Sequence, residues 1–122
     1  MCPLLVVDAA NVVGSVPDGW WRDRAGATAR LRDRLVRVAD EGIPGLAGPV
    51  EVVLVVEGKA RAVQAIPGVR VVSAPRSGDD AIVELVGSEP GDRTRVVVTA
   101  DRELRDRVQR LGASVLGPSA VR

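Results

Sequence analysis

The sequence has no histidine, which excludes imidazole general-base catalysis, Ser-His-Asp triads and histidine-ligated zinc. Cys2 is the one cysteine, so the chain can form neither an internal disulfide nor a cysteine cluster for zinc or iron–sulfur. It stands just ahead of the first apolar run and is read as inert. Phe and Tyr are also missing, leaving Trp20 and Trp21 as the only aromatic residues. Any core must therefore be built from Val, Leu and Ala. No apolar run approaches the roughly 18 residues of a membrane span. No signal-peptide pattern precedes the first apolar run, and the expectation is a cytoplasmic protein without a membrane segment. Lysine occurs once, as Lys59. Hydrolytic chemistry in such a chain has to rest on carboxylates, hydroxyls, arginine, that one lysine, or a metal held by oxygen.

The 122 residues fit one domain, 1–122, and 46% of them are hydrophobic, enough for a buried core. Charged residues make up 27% and nearly cancel, leaving +1, so net charge argues neither for nor against nucleic acid. The preference for Arg matches a wider Ala/Val/Arg/Gly bias and reads as genome composition. Short apolar runs alternate with helical patterns. Leu4-Leu5-Val6-Val7 is closed by Asp8, and Val52-Val53-Leu54-Val55-Val56 by Glu57. Val69-Arg70-Val71-Val72 and Val96-Val97-Val98 follow, the latter closed by Thr99-Ala100-Asp101, with Ser114-Val115-Leu116 as a fifth. Short, β-branched runs that are apolar throughout predict strands buried on both faces, as in a parallel sheet. Between them, Leu31, Leu35 and Val38 predict a helix within Trp21–Glu41, with Asp18 as its cap. Ile82, Leu85 and Val86 predict one over Gly78–Gly87. Leu104, Val108 and Leu111 predict one over Asp101–Leu111, stopped by Gly112. Lys59–Ala65 reads as a short helix, and 42–49 and 87–93 as loops. The expected architecture is a three-layer α/β/α sandwich, Rossmann-like in its layering, around a mainly parallel sheet of four to five strands.

Ligands of such sheets bind beyond the carboxyl ends of the strands, where the strand order reverses. Asp8, Glu57 and Asp101 end three of the strands, and the next run leads into Ser77-Gly78-Asp79-Asp80 at a helix start. Asn11 follows Asp8 by three residues. Strands about 4.8 Å apart bring such carboxylates within reach of one ion. Carboxylates so close either raise their pKa values or bind a cation. All-oxygen ligands favour Mg²⁺ or Mn²⁺, which activates water and neutralises a phosphate in an in-line displacement. Each residue also has a structural reading. Asp101 can cap the helix that starts there. Ser77-Gly78-Asp79-Asp80 fits a capping box, which favours Asp79 over Asp80 as ligand. Glu57 can be a solvated strand end, whereas Asp8 begins no obvious helix.

These motifs resemble those of NYN domains. Val7-Asp8-Ala9-Ala10-Asn11-Val12 is similar to their opening D-G-x-N strand end. Gly78-Asp79-Asp80-Ala81-Ile82 is similar to their A-D-x-x-I helix start, and Val98-Thr99-Ala100-Asp101 to their late V-x-T-S-D strand end. Gly112-Ala113 after the last helix also matches. Order and spacing cover nearly the whole chain and resemble the YacP-like branch most. NYN domains belong with the PIN-like nucleases. The resemblance therefore implies a parallel sheet and a metal-dependent ribonuclease site, with Asp8, Asp79 and Asp101 as metal ligands and Asn11 as a positioning residue. Ala9 stands where Gly is usual, Ala100 where Ser is usual, and Glu57 where the branch shows Asp.

RNA as substrate calls for phosphate contacts and stacking. Candidates on the same edge are Arg22, Arg24, Lys59, Arg76 and Arg102, each of which also reads as a solvated surface charge. Arg30, Arg34 and Arg37 read as the wet face of the long helix. Of the adjacent tryptophans, one is expected to pack and the other to face a base, with Trp20 taken as the substrate-side residue. A shallow site on so small a domain leaves room for a second copy or a partner protein. The competing reading is a non-catalytic RNA-binding or protein-interaction module with a degenerate site, supported by Glu57, Ala9 and Ala100. Receiver, haloacid-dehalogenase and dinucleotide-binding patterns are not met: no late lysine, Ala10 in place of a second Asp, and no glycine-rich turn after the first strand.

Overall fold

Side chains along a strand point alternately to opposite faces, and here both faces are apolar. In β1 (Leu4–Asp8), Leu5 and Val7 enter one core and Leu4 and Val6 the other. In β4 (Glu51–Val56), Val52, Leu54 and Val56 join the first core, and Val53 and Val55 the second. Full burial of each such side chain is worth about 1.5–3 kcal/mol against exposure, so Val and Leu supply most of what holds the two layers together.

The computed structural model describes Met1–Arg122. Three further strands, β5 (Val69–Ser73), β6 (Arg95–Val98) and β7 (Ser114–Leu116), complete a five-stranded sheet of order β5-β4-β1-β6-β7. All four pairings are parallel. Helices α1 (Ala9–Gly14) and α2 (Arg24–Glu41) cover one face, burying Val12, Leu31 and Leu35. Helices α3 (Gly78–Gly87) and α4 (Arg102–Arg110) cover the other, burying Ile82, Val86, Leu104 and Val108. This is the three-layer α/β/α sandwich that the strand–helix alternation implies.

Several local expectations are corrected. The long helix begins at Arg24 rather than Trp21, because Trp20–Arg22 close a 3₁₀ turn. Its cap is Asp23, not Asp18: Asp23 has a non-helical backbone, and its carboxylate accepts the Gly26 N–H at 2.9 Å. The segment 42–49 is not a plain loop. It holds a small antiparallel pair, β2 (Gly42–Ile43) and β3 (Leu46–Ala47), whose Ile43 and Leu46 pack against the core. The stretch read as a short helix from Lys59 is a 3₁₀ turn over Gly58–Ala62.

From β1 the chain builds outward through β4 to β5, then returns through α3 to β6 on the other side of β1. The order thus reverses between β1 and β6, and the crevice beyond their carboxyl ends is the expected ligand position.

Candidate functional site

Asp8 ends β1 at the centre of the sheet, 7% exposed. Contrary to the sequence expectation, it does begin a helix. The short apolar Ala9–Gly14 carries too little periodicity to announce itself, yet forms α1, with Asp8 as N-cap accepting the Asn11 N–H at 3.4 Å. The other carboxylate oxygen accepts the Thr99 hydroxyl at 2.9 Å. Asp8 has no cationic partner. Burial pushes its pKa from 3.8 to about 6, and the charges of Asp79 and Glu57 add to this against its two hydrogen bonds.

Thr99 is the residue that sequence reasoning passed over. It lies inside the quoted Val98-Thr99-Ala100-Asp101 motif without having been given a role. Its side chain is buried, and its Oγ1 donates to Asp8 while accepting the Asp101 N–H at 3.1 Å. One hydroxyl thereby locks the ends of β1 and β6 together. A polar β-branched residue directly after a Val-Val-Val run is the signal that marks it. Asn11 adds a second tie, its Oδ1 accepting the Ala100 N–H at 2.8 Å. Asn11 thus positions the loop that carries Asp101. Asp101 itself caps α4, one oxygen accepting the Leu104 N–H at 2.9 Å. The capping reading of Asp101 describes real geometry and leaves its second oxygen without a protein donor.

Across the crevice, Glu57 follows β4 and accepts the Gly78 N–H at the start of α3. Ser77 caps that helix by accepting the Asp80 N–H at 3.3 Å. The two adjacent aspartates then part. Asp80 is exposed and its carboxylate pairs with Arg107 at 3.1 Å. Asp79 stays half-buried, and its pKa is raised by burial and by the charges of Asp101 and Glu57, with Arg107 opposing. Asp79 thus lies within electrostatic reach of Asp8, Glu57 and Asp101, while Asp80 is paired with Arg107.

No three of these carboxylates converge closely enough to clasp one ion between them. Glu57 and Asp101 each spend an oxygen on a helix N-terminus. The donor set still suits a hard cation, since it is all oxygen, partly desolvated and, at Asp8, without a balancing cation. Mg²⁺ in particular keeps several waters and takes one or two carboxylates plus substrate phosphate rather than an all-protein cage.

Beside the acids lies a cleft of about 480 Å³. Of the residues expected on the substrate side, Trp20, Arg24 and Arg76 line it. Trp20 is half-buried, with the Arg24 guanidinium 5.2 Å from its ring centroid. Trp21 is 54% exposed and carries Arg22 at 5.9 Å. Lys59 and Arg102 are exposed and do not line the cleft, nor does Arg22.

The chain is similar in structure to Rae1 (YacP) from Bacillus subtilis. A crystal structure of a Trp-to-Leu variant of that protein superimposes with a TM-score of 0.78 at 17% identity, covering 98% of this chain and 72% of that one. A second structure of Rae1 (YacP) gives 0.75 at 16% identity, covering 96% and 70%. No family model matches the sequence, and no curated protein does. At this identity the likeness shows the fold, and it is the fold of a protein bearing the name of the branch that the motifs resemble.

Proposed function

We propose that this chain is a divalent-cation-dependent ribonuclease acting at the carboxyl edge of its sheet. The observation that carries the reading is the gathering of Asp8, Glu57, Asp79 and Asp101 from four separate chain segments around the reversal in strand order, with Asp8 buried and uncompensated. Burying an unpaired carboxylate opposes folding, and a fold retains such a group where function needs it. The motif order, and the fold shared with Rae1 (YacP), support the same assignment.

One or two of Asp8, Asp79 and Asp101, together with water and substrate phosphate, would hold Mg²⁺ or Mn²⁺, which when bound supplies an activated water and neutralises phosphate charge. The chain's own residues do the rest. Thr99 and Asn11 fix Asp8 and the Asp101 loop in register, so these carboxylates need no reorganisation when substrate arrives. Glu57 anchors α3 and holds Asp79 at the crevice. No imidazole exists to act as base, and none is required of a site in which carboxylates set the position of water.

The test is cleavage of end-labelled single-stranded and hairpin RNA with Mn²⁺ or Mg²⁺, in parallel with EDTA and with Asp8→Asn and Asp101→Asn preparations. We expect cation-dependent cutting that drops at least a hundredfold in both variants, a loss of about 2.7 kcal/mol or more. Cutting that survives both substitutions would assign the activity elsewhere. RNA binding in EDTA with no cutting under any condition would favour an RNA-binding module with a degenerate site.

A further inference from the structure

We propose that the cleft beside the acidic edge is a subsite for one unpaired ribonucleotide, its base stacked on the Trp20–Arg24 wall and its phosphate held by Arg76. The assignment rests on the ribonuclease reading and adds to it a demand for single-stranded substrate. Three features of the cleft point to this occupant. Its volume, about 480 Å³, lies within the roughly 300–1,000 Å³ typical of small-molecule sites. One wall is the Trp20 ring with the Arg24 guanidinium over it, two planar groups of the kind on which bases stack. Much of the remaining lining is small, with Ala9, Ala10, Gly58, Ala60 and Ser77, which leaves room for a flat ring.

Charge selects the rest of the ligand. Arg24 and Arg76 are exposed and enter no ion pair, unlike Arg32, Arg37, Arg93 and Arg107. Each guanidinium therefore keeps its planar set of donors, which matches phosphate geometry. Glu57 is the one carboxylate in the lining, and it is engaged by the Gly78 N–H. Ala9 and Ala10 follow Asp8 directly, so a nucleotide in the cleft is continuous with a phosphate at the acidic edge. A base held in a duplex is already stacked on both faces and cannot enter.

The experiment measures binding of short oligoribonucleotides in EDTA to the full chain carrying Asp8→Asn, so that cleavage does not intervene. A series with one abasic nucleotide at each position in turn is compared with the intact strand and with its duplex. We expect affinity to fall roughly 5- to 150-fold at one position, the range of a lost base–aromatic stack, and to fall similarly for the duplex. Adding Trp20→Ala should flatten the profile, while Trp20→Phe, which keeps a ring, should retain it. Arg76→Ala should weaken every strand without moving the sensitive position. A flat profile in the Trp20-containing protein, a profile unchanged by Trp20→Ala, duplex binding equal to single-strand binding, or no oligonucleotide binding would each overturn the subsite. Failure of the ribonuclease reading looks different: no cutting by the unsubstituted chain in Mn²⁺, with the positional profile intact.

Discussion

Asp8 couples the stability of the fold to the charge that the proposed site requires. It ends a fully apolar strand, so burial comes with its position, and nothing cationic approaches to offset the charge. A carboxyl whose pKa rises from 3.8 unfolded to about 6 folded favours the folded state in its protonated form. Its contribution is present below pH 3.8, declines as pH rises through the interval, and above pH 6 the ionised group costs the fold about 3 kcal/mol. Asp8→Asn keeps the size and can still accept the Asn11 N–H while donating to Thr99 Oγ1. We therefore expect the variant to be more stable than the parent at pH 8, by up to about 3 kcal/mol, with the gain gone near pH 3.5. Urea denaturation midpoints across pH 3.5–8 measure this, and a variant less stable than the parent at pH 8 would refute it.

At the scale of elements, helix starts and site acids coincide. Asp8 caps α1, Asp101 caps α4, Asp79 lies in the first turn of α3, and Glu57 accepts from that helix's first N–H. Helix N-termini stabilise negative charge, so the same dipoles that reward capping also hold a carboxylate cluster together. A capping signal in the sequence therefore does not argue against a functional one, and for Asp101 the cap engages one oxygen and leaves the other for the proposed role. The start of α2 is a plain capping site by contrast. Asp23→Ala should cost about 1 kcal/mol through loss of the Gly26 N–H contact, while Asp18→Ala should change stability by less than about 0.5 kcal/mol. Chemical denaturation of the two variants decides between Asp23 and Asp18 as the cap. Equal losses would show that the helix start is not held by this hydrogen bond.

The whole molecule puts its uncompensated charge at one end of a rigid sheet. Ionised carboxylates that oppose folding become favourable when a cation binds the folded state, by about 2.7 kcal/mol at a hundredfold excess over the dissociation constant. Mn²⁺ should therefore raise the melting temperature at pH 8 by several degrees, at about 4 °C per kcal/mol for a domain of this size. The rise should shrink below pH 6 as protons compete for Asp8, and be largely absent in Asp8→Asn. Thermal melts with Mn²⁺ or Mg²⁺ against EDTA report this without any assay of cleavage. A melting temperature unmoved by either cation at pH 8 would count against a cation site at this edge.

The sequence by itself determined the layers. Short β-branched runs without polar alternation read as strands covered on both faces, as β1, β4 and β6 are, and 3.6-residue spacing between them reads as the covering helices. It also marked Asp8, Glu57 and Asp101, because a carboxylate closing an apolar run has to emerge at the sheet's edge, and Asp79 at a helix start that follows another strand. Only the tertiary structure decided what short-range patterns leave open. The α1 helix is too brief to show a period, and its cap depends on where β1 ends. Which of Asp79 and Asp80 is the more buried follows from how α3 is seated on the sheet, which leaves Asp80 exposed beside Arg107 on a neighbouring helix. The hydroxyl of Thr99 joins Asp8 to Asp101 only because β6 lies beside β1, a pairing between residues some ninety positions apart. Local sequence sets what each residue can do, but contacts of that range exist only once the sheet order has chosen the neighbours.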